Sequence, residues 1–503
     1  MSAKKTFEAL ALDRRMVLAA AGVGAVGAVF PSGAATVRAA PSPAELLEAL
    51  KGTVDAEGLL TGGDIAPRFL PRFLPADRQE KPIAVVRPTS TAEVAAVLGV
   101  CHAAGQGVVP QGGMSGLAGG GNPKAADIVV SLERMDGIHE LDDVDGTMTV
   151  EGGTVLAVAQ HYAGQRGFEF GVDIGSRGEA TIGGMVSTNA GGMHVVRYGM
   201  MRDNVLGLEA VLADGTVVSA LSPLIKNNAG YDVKQLFIGS EGTLGIVTKA
   251  VLRLRPKPEE LEAALVGIDG FDNVPAFLGH LQHELRGMLT AFEVLWADFD
   301  AFVREYADHV PHPLKPGHDF VVIVEAAVAD PAGEKTRFAA VIDAARRKGM
   351  VAEAVVAGSE EERESFWALR EQGAAAFGEL GPFFGYDVSM RIRDMDAFAQ
   401  RIKAEIAAAF GGATSLVLGH MGDGNLHVIV APKSRAPEIH KRADDIVYGA
   451  VRDVGGSISA EHGIGTEKRA YLSWSRSDAE IALMRQLKSL LDSKGILNPG
   501  KVL

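Results

Sequence analysis

Residues 419–427 read GHMGDGNLH, so two histidines, His420 and His427, stand seven positions apart around two glycines. Side chains an odd number of residues apart in a regular strand point to opposite faces. Gly422 and Gly424 each disfavour a helix by about 1 kcal/mol relative to alanine. We therefore predict a bend that lets the two imidazoles converge. The residues alone leave two alternatives, a glycine turn with two incidental histidines or a pair of metal ligands.

Three glycine-rich segments precede this pair, at residues 110–121 (PQGGMSGLAGGG), 173–199 (which contains ATIGGMVSTNAGG) and 237–250 (FIGSEGTLGIVTKA). Glycine exposes backbone N–H groups without a side chain in the way, which suits phosphate oxygens. The hydroxyl and amide groups of the second segment add donors that a large polar ring cofactor requires. The first segment lacks a Lys-Ser/Thr ending, which disfavours Mg-ATP. The alternative for each segment is a buried turn where only glycine fits.

The elements that must position these residues change in character along the chain. Residues 205–220 (VLGLEAVLADGTVVSA) predict a hairpin that turns at Asp214 and Gly215. Around residue 255, RLRPKPEE predicts a linker. Beyond it, apolar runs such as FVVIVEAAVAD alternate with helical patterns. This alternation predicts an antiparallel sheet with helices on one face.

The bulk composition excludes several classes of protein. A chain of 503 residues has room for two or three domains. A net charge of −14 argues against a nucleic-acid surface. The single cysteine, Cys101, excludes an intramolecular disulfide framework and leaves no cluster for an iron–sulfur relay.

The first 39 residues have the features of an export signal. Lys4, Lys5, Arg14 and Arg15 precede an apolar run over residues 16–30, and small residues end near Ala39. This pattern predicts a secretory signal peptide. The paired arginines predict the twin-arginine route and a periplasmic location. The apolar run is shorter than the ~20 residues of a membrane-spanning helix, and an uncleaved membrane anchor is the alternative.

Several motifs together resemble a known family. The PQGG-x-S-GL loop, ATIGGMVSTNAGG and GSEGTLGIVT resemble the FAD-binding domain of the vanillyl-alcohol oxidase type. The order GHMGDGNLH, SAEHGIGTEKR (459–469) and ILNPGKVL resembles its FAD-linked D-2-hydroxyacid dehydrogenase branch, which includes D-lactate and D-2-hydroxyglutarate dehydrogenases. The resemblance covers about residues 80–503. It implies an α+β, two-domain flavoprotein with an FAD-binding domain and an antiparallel-sheet substrate (cap) domain.

We expect the following division of the chain: a twin-arginine signal peptide over 1–39, an N-terminal extension over 40–79, an FAD-binding domain over 80–257, a substrate and metal cap domain over 258–458, and a C-terminal segment over 459–503 that closes the active site.

The resemblance also implies a non-covalent FAD. The residues that it places at the cofactor are Pro110, Gly112, Gly113, Met114, Ser115, Gly116, Leu117, Thr181, Gly183, Gly184, Ser187, Asn189, Gly191, Gly192, Gly242, Ile246 and Asn498. The family usually has asparagine at Met114, so we expect a weaker contact with the pyrophosphate there.

The resemblance further implies a divalent metal, zinc or manganese, held by His420, His427 and Glu461. Two imidazoles and a carboxylate leave coordination positions open, as a catalytic metal requires. His462 is then expected to be the general base that takes the hydroxyl proton, and Arg370 to hold the substrate carboxylate. The structural alternatives are a hydrogen-bonded core histidine and a surface arginine.

Three departures from the family pattern bear on the substrate. In the D-2-hydroxyglutarate enzymes, a threonine and a lysine help hold the distal carboxylate and an asparagine contacts the substrate. Here those positions are Ala374, Gly385 and Ile429, respectively. The loss of the three polar residues favours a small or apolar, D-lactate-like 2-hydroxyacid. A D-2-hydroxyglutarate or glycolate dehydrogenase is the alternative within the family.

The expected function is metal-assisted oxidation of a D-2-hydroxyacid to the 2-oxoacid, with FAD as the first electron acceptor. The expected partners are the small-molecule acid and a membrane quinone or cytochrome that takes the electrons, without nucleic acid. A homodimer is left open. Alternatives outside the family are a periplasmic metallohydrolase, a non-catalytic metal-binding module, and an alcohol or sugar oxidase without metal.

Overall fold

The computed structural model describes residues 41–72 and 79–503. The predicted signal peptide lies outside the described residues. Within the part of the chain that the structure describes, no helix has both the length and the apolar character needed to cross a membrane.

Thirteen α-helices are found in the described residues: α1 Pro43–Lys51, α2 Thr91–Ala104, α3 Leu156–Gly164, α4 Ile182–Thr188, α5 Val195–Tyr198, α6 Met201–Asn204, α7 Asn273–Leu285, α8 Ala297–Tyr306, α9 Pro331–Arg347, α10 Glu360–Ala375, α11 Met395–Ala409, α12 Pro437–Asp453 and α13 Asp478–Leu491.

The same residues form eighteen strands: β1 Leu59–Thr61, β2 Ala84–Val86, β3 Val108–Gln111, β4 Ile128–Ser131, β5 Ile138–Asp142, β6 Thr147–Glu151, β7 Phe168–Glu169, β8 Val205–Val211, β9 Val217–Ala220, β10 Ile246–Arg253, β11 Arg255–Pro256, β12 Glu260–Ile268, β13 Leu289–Trp296, β14 Phe320–Val328, β15 Glu353–Val356, β16 Phe384–Ser389, β17 Thr414–Gly419 and β18 Asn425–Ala431.

The first layer is a four-stranded sheet in the order β1-β2-β4-β3. Strands β2, β4 and β3 are parallel, whereas β1 is antiparallel to β2. The connecting helix α2 begins after the Ser90 cap and ends at Gly105, whose φ of 68° is readily reached only by glycine. Helix α1 and strand β1 come from the predicted N-terminal extension, and the chain's end returns here when Leu497 pairs with Val108.

A five-stranded antiparallel sheet follows, in the order β5-β6-β10-β8-β9. The predicted hairpin is present as β8 and β9, and its turn contains Gly215 at a φ of 89°. The segment predicted as a linker is ordered, because β11 pairs with β7.

The third layer is a seven-stranded antiparallel sheet in the order β15-β12-β14-β13-β17-β18-β16. Helices α7, α9, α11 and α12 contribute to the apolar core on one face. Helices α8 and α10 contribute to a second core on the opposite face. The prediction of helices on one face only was therefore wrong. Every residue of β13 and β14 is buried, and strands buried on both faces read as continuous apolar runs.

Candidate active site

The two histidines of the opening motif lie on a tight hairpin between β17 and β18. His420 follows the last residue of β17, a short 3₁₀ turn covers Met421–Asp423, and Gly424 has a φ of 92°. The strands then pair so that Leu418 stands opposite His427. The predicted bend is present, and it brings the centroids of the two imidazole rings to 5.2 Å.

Glu461 joins these histidines from the C-terminal segment. His420 Nε2 lies 4.0 Å from Glu461 Oε1, and one ligand atom from each of His420, His427 and Glu461 lies within 4.8 Å of the other two. The backbone N–H of Gly192 donates to Glu461 Oε1 over 2.7 Å, which fixes the carboxylate. The arrangement brings together two imidazole nitrogens and one carboxylate, a donor set that fits a divalent transition metal.

Asp387, Glu461 and His462 form a second group with metal-ligand spacing. One oxygen of the Asp387 carboxylate is already engaged, because Oδ2 accepts the backbone N–H groups of Glu461 and His462, each over 2.9 Å, whereas Oδ1 has no hydrogen-bond partner among the described residues. Lys468 Nζ lies 3.6 Å from the same oxygen. The positive charges around Asp387 outweigh its burial and hold the pKa of its carboxyl well below the usual range. Asp387 is therefore a buried carboxylate that holds the backbone of Glu461 and His462. This second group fits a metal less well than His420, His427 and Glu461 do.

His420 is held by a carboxylate from a neighbouring strand. Glu293, on β13, is fully buried, and its Oε1 lies 2.6 Å from His420 Nδ1. Burial opposes the protonated imidazole of His420, but the Glu293 charge outweighs it and raises the pKa. A Nδ1–H bond to Glu293 leaves the Nε2 lone pair directed at the Glu461 side, which is the tautomer that a metal ligand requires.

His427 has the opposite electrostatic setting. Desolvation of this half-buried ring, followed by the charge of His420, places the pKa of its imidazole well below 6.5. A neutral imidazole is the form that binds metals.

Arg370 reaches this cluster from helix α10. Its Nη2 lies 3.3 Å from His420 Nε2, and its Nε lies 2.8 Å from Glu293 Oε2. Neither Arg370 Nε nor Glu293 Oε2 makes an aligned hydrogen bond within the described residues. Burial would raise the pKa of the Glu293 carboxyl, but His420 and Arg370 lower it to about 2. Arg370 therefore lies inside the site, and the surface-arginine alternative does not hold.

His462 lies beside the metal-ligand cluster. Its ring stacks with that of His427, with the centroids 6.1 Å apart. Its Nδ1 lies 3.7 Å from Asp387 Oδ2, and 29% of its side chain is exposed. The histidine is accessible from the cavity and is not a core residue.

One cavity of about 490 Å³ connects this cluster with the three glycine-rich segments. It is lined by His420, His427, Glu461, His462, Arg370 and the predicted cofactor residues Pro110, Gly112, Gly113, Met114, Ser115, Gly116, Leu117, Thr181, Gly183, Gly184, Ser187, Gly191, Gly192, Gly242, Ile246 and Asn498. Asn189 is the exception among the predicted residues. Its side chain accepts the backbone N–H of Arg202 and contacts Met200, so it stabilises the turn after α4.

Glycine is required at positions that line this cavity for two different reasons. A Cβ at Gly113 would lie 1.7 Å from the carbonyl oxygen of Glu179, so this glycine permits close packing of two backbone segments. A Cβ at Gly116 would meet nothing within 4 Å among the described residues, so this glycine keeps the cavity open. Close backbone packing accounts for the glycine at the first position, and the second leaves room for a ligand.

Buried polar atoms without partners support a polar ligand in the cavity. The side-chain oxygens of Gln111 and Asn498 are buried and accept no hydrogen bond from the described residues. Both residues line the cavity. The amide of Asn498 donates to the carbonyl oxygens of Gly120 and Glu241, which fixes its orientation. A flavin or pyrophosphate with its own donors and acceptors fits such a surface.

Sequence reasoning missed the carboxylates that support the site. Glu293 is the one charged residue in the β13 sequence LTAFEVLW, and Asp387 lies inside the apolar strand β16. A third, Glu241, accepts the backbone N–H groups of Ile464 and Gly465 and thereby holds the C-terminal segment against the FAD region. A charged residue inside a buried strand is the signal that could have found the first two, because such a charge needs partners.

The architecture matches solved structures of known type. A p-cresol methylhydroxylase superposes with a TM-score of 0.73 at 17% identity and covers 91% of this chain and 96% of its own. A 4-ethylphenol oxidase from Gulosibacter chungangensis gives a TM-score of 0.70 at 18% identity, covering 91% of this chain and 96% of its own. The fold is that of the vanillyl-alcohol oxidase flavoproteins.

Family models and curated relatives narrow the class. The model of the FAD binding domain matches residues 82–221, and the model of the C-terminal domain of FAD linked oxidases matches residues 257–502. The mitochondrial D-2-hydroxyglutarate dehydrogenase of Bos taurus is 37% identical over 421 residues, which is 83% of this chain and 76% of the relative. A D-2-hydroxyglutarate dehydrogenase of Xanthomonas citri is 37% identical over 84% of this chain and 89% of its own. This chain belongs to the FAD-linked D-2-hydroxyacid dehydrogenases.

The comparisons contradict the predicted periplasmic location. Relatives from Bos taurus, Oryza sativa and Arabidopsis thaliana are named as mitochondrial enzymes. A basic leader followed by small apolar residues misled the prediction, because several kinds of targeting segment share that composition.

Proposed function

We propose that this dehydrogenase oxidises a D-2-hydroxyacid with a short or apolar side chain, at a site that holds FAD and a divalent metal side by side. The observation that carries the proposal is the single cavity that the glycine-rich segments share with His420, His427, Glu461, His462 and Arg370. A hydrolase would need the metal cluster alone, and a metal-independent oxidase would need the glycine segments alone. Both are present on one surface.

The binding roles follow from the side chains. Arg370 offers a guanidinium to the substrate carboxylate, and Glu293, whose Oε2 lies 2.8 Å from Arg370 Nε, holds that guanidinium in place. His420, His427 and Glu461 would hold the metal, which when bound would polarise the substrate hydroxyl and lower its pKa. Because the carboxylate and hydroxyl are held at two neighbouring points, one face of the α-carbon is directed toward the glycine-rich wall.

The chemical step removes two hydrogens from the substrate. His462 accepts the hydroxyl proton as the C–O bond becomes a carbonyl. FAD, when bound against the glycine segments, is the acceptor for the α-hydrogen and its electron pair. The backbone amides of Glu461 and His462 are fixed by Asp387, so the base and one metal ligand share a single anchor. We propose that a quinone or a cytochrome then takes the electrons.

The three replaced positions near Arg370 and His427 favour a substrate with an apolar side chain. Ala374 follows Arg370 by one helical turn, and Ile429 follows His427 on the same face of β18. Gly385 on β16 pairs with Ile429 on β18, and a Cβ on Gly385 would lie 3.7 Å from Ile429 Cδ1. Ile429 belongs to an apolar cluster with Leu416 and Leu418, among others. None of the three replaced positions carries a charged or polar side chain that could bind a distal carboxylate.

D-2-hydroxyglutarate is the second candidate, because the relatives carry that name. A D-2-hydroxyglutarate–pyruvate transhydrogenase of Saccharomyces cerevisiae is 35% identical over 83% of this chain and 86% of its own. The choice between the candidates depends on whether the three replaced positions decide specificity.

Anaerobic bleaching of the flavin tests the proposal. We expect the metal-loaded enzyme to bleach with D-lactate faster than with D-2-hydroxyglutarate, and to lose this after chelation. A triple variant, Ala374→Thr with Gly385→Lys and Ile429→Asn, should reverse the preference. Faster bleaching of the unmodified enzyme by D-2-hydroxyglutarate would establish the second candidate. No bleaching by any D-2-hydroxyacid, or full bleaching without metal, would refute the proposed chemistry.

We also propose the domain division expected from the sequence, with the FAD-binding domain ending at residue 257, the cap at 258–458 and the closing segment at 459–503. The change from the five-stranded sheet to the seven-stranded sheet between β10 and β12 supports the first boundary. The bonds of Glu241 to Ile464 and Gly465 support the closing role of the last segment. Partial proteolysis of the FAD-loaded enzyme tests this division.

A further inference from the structure

The buried carboxylate of Glu293 contacts two groups to which the proposed function gives separate tasks. Its Oε1 lies 2.6 Å from His420 Nδ1, and its Oε2 lies 2.8 Å from Arg370 Nε. His420 is a proposed metal ligand, and Arg370 is the proposed holder of the substrate carboxylate. We propose that Glu293 is a positioning residue that fixes the metal ligand and the substrate arginine relative to each other.

The location of Glu293 explains why one residue can do this. It lies near the middle of β13, next to β17, which ends one residue before His420. Its side chain shares a sheet face with Ala291 and Leu295, and these two residues belong to the core that α10 covers. The carboxylate therefore lies between the hairpin of His420 and the helix of Arg370. Since β13 is buried along its whole length, the anchor is rigid.

The chemistry of Glu293 serves both partners. By accepting from Nδ1, it fixes the imidazole tautomer that presents Nε2 to a cation. Its negative charge compensates the guanidinium of Arg370, whose Nη2 lies 3.3 Å from His420 Nε2. Substrate carboxylate and substrate hydroxyl would then be held at a spacing set by the protein.

The proposal rests on the proposed function, and its test uses readouts that do not need turnover. The probe is Zn²⁺ alone, titrated by calorimetry into FAD-loaded enzyme stripped with a chelator. We expect Glu293→Gln to weaken Zn²⁺ binding about 10-fold to 100-fold, because loss of a carboxylate behind a metal-bound histidine has that effect. At saturating Zn²⁺, the KM for D-lactate should rise at least about tenfold, because the amide NH₂ would face the guanidinium.

The matched control is Glu325→Gln. Glu325 lies on the neighbouring strand β14, is 1% exposed, and also contacts a histidine and an arginine, His194 and Arg363. It does not line the cavity. We expect this variant to bind Zn²⁺ and D-lactate within twofold of the unmodified enzyme, whatever its stability.

A second variant guards against misfolding. Glu293→Asp keeps the charge but is shorter by one methylene, so it reaches one partner and not both. Unchanged Zn²⁺ affinity and unchanged KM in FAD-loaded Glu293→Gln and Glu293→Asp would overturn the proposal, as would a change in only one of the two quantities in both variants. A double-mutant cycle with Arg370→Met should show non-additive effects on KM. If the unmodified enzyme neither bound Zn²⁺ nor bleached with any D-2-hydroxyacid, the proposed function itself would fail.

Discussion

Two clusters of the same composition lie on neighbouring strands of the cap sheet. In the first, Glu293 contacts His420 and Arg370. In the second, Glu325 contacts His194 and Arg363. Both arginines come from α10, seven residues and thus two turns apart, and both glutamates are at most 1% exposed. We name them the Glu293 cluster and the Glu325 cluster.

The clusters differ in how completely they are hydrogen-bonded. Glu325 accepts from Thr290 Oγ1 over 3.2 Å and from Arg363 Nη1 and Trp367 Nε1 over 2.9 Å each, in addition to His194 Nε2 at 3.2 Å. Glu293 Oε2 makes no aligned hydrogen bond within the described residues, although Arg370 is close.

The difference separates a structural role from a site. The Glu325 cluster is saturated and joins His194, which comes from the segment following α4, to the cap sheet. The Glu293 cluster is incompletely satisfied, and its histidine and arginine open onto the cavity. Incomplete hydrogen bonding together with access to the cavity distinguishes the Glu293 cluster from the Glu325 cluster.

Removing each arginine in turn is the strongest test of the proposed difference between the two clusters. We expect Arg370→Met to lower kcat/KM for the substrate about 100-fold to 1000-fold, because a charge-assisted carboxylate contact is lost. Arg363→Met should leave kcat/KM of the folded enzyme unchanged and lower the free energy of unfolding by about 3 kcal/mol, since a buried charge pair loses one partner. Steady-state kinetics and urea unfolding measure the two effects. Equal loss of kcat/KM in both variants would contradict the division.

Substitution of the histidine in each cluster should also have different effects on metal affinity. His420→Asn is expected to weaken Zn²⁺ binding by at least about 100-fold, because a ligand is removed rather than reoriented. His194→Asn should bind Zn²⁺ as the unmodified enzyme does. Calorimetric titration of chelator-stripped, FAD-loaded protein gives both affinities. Retained Zn²⁺ affinity in His420→Asn would show that the metal binds elsewhere.

How far the sequence predicts this contrast depends on the distance between partners. The bend that brings His420 to His427 was predictable, since both histidines and the glycines between them fall within nine residues. Glu293 and His420 are 127 residues apart and meet because β13 pairs with β17. Strand order in an antiparallel sheet is set by long-range packing, which local patterns do not encode. The prediction of helices on one face was wrong for the same reason.

Within the cofactor segments the sequence was more informative. Seventeen cofactor positions were expected, and Asn189 is the one whose side chain turns to the backbone of Arg202 instead. It adopts a φ of 53° at the end of α4, a conformation that asparagine tolerates better than most residues. A motif identifies which segment approaches a ligand. It does not show which side chains within that segment serve the turn itself.

The Glu325 cluster should contribute to the pH dependence of stability. Burial opposes a charged His194, but Glu325, with Asp173 and Glu169, raises the pKa of its imidazole above 6.5. Its contribution is therefore fully present below pH ~6.5 and lost as the pH rises through the raised value. Burial also opposes the Glu325 charge, but His194 and its other partners lower that pKa below 4.5, so this contribution is lost only as the pH falls through the lowered value.

We therefore expect the contribution of His194 to the free energy of unfolding to decrease as the pH rises from about 5.5 to about 8.5. In His194→Gln, which cannot be protonated, that part of the decrease should disappear. Urea unfolding at the two pH values provides the measurement. His283→Gln is the control, because the His283 side chain is 82% exposed and its ion-pair partner, Glu284, belongs to neither cluster. An unchanged pH dependence in His194→Gln would assign it to other groups.

The smallest expected effect tests the saturation of Glu325 directly. Trp367→Phe keeps an aromatic side chain in the apolar core beneath α10 but removes one of the donors to Glu325 Oε2. Because Arg363 still donates to that oxygen, the free energy of unfolding should fall by only about 1 kcal/mol, with KM and Zn²⁺ affinity unchanged. A decrease of about 3 kcal/mol or more in the free energy of unfolding, measured in urea, would show that Glu325 requires every one of its hydrogen-bond donors. Each glutamate would then depend on all of its hydrogen-bond donors, and the two clusters would differ only in their access to the cavity.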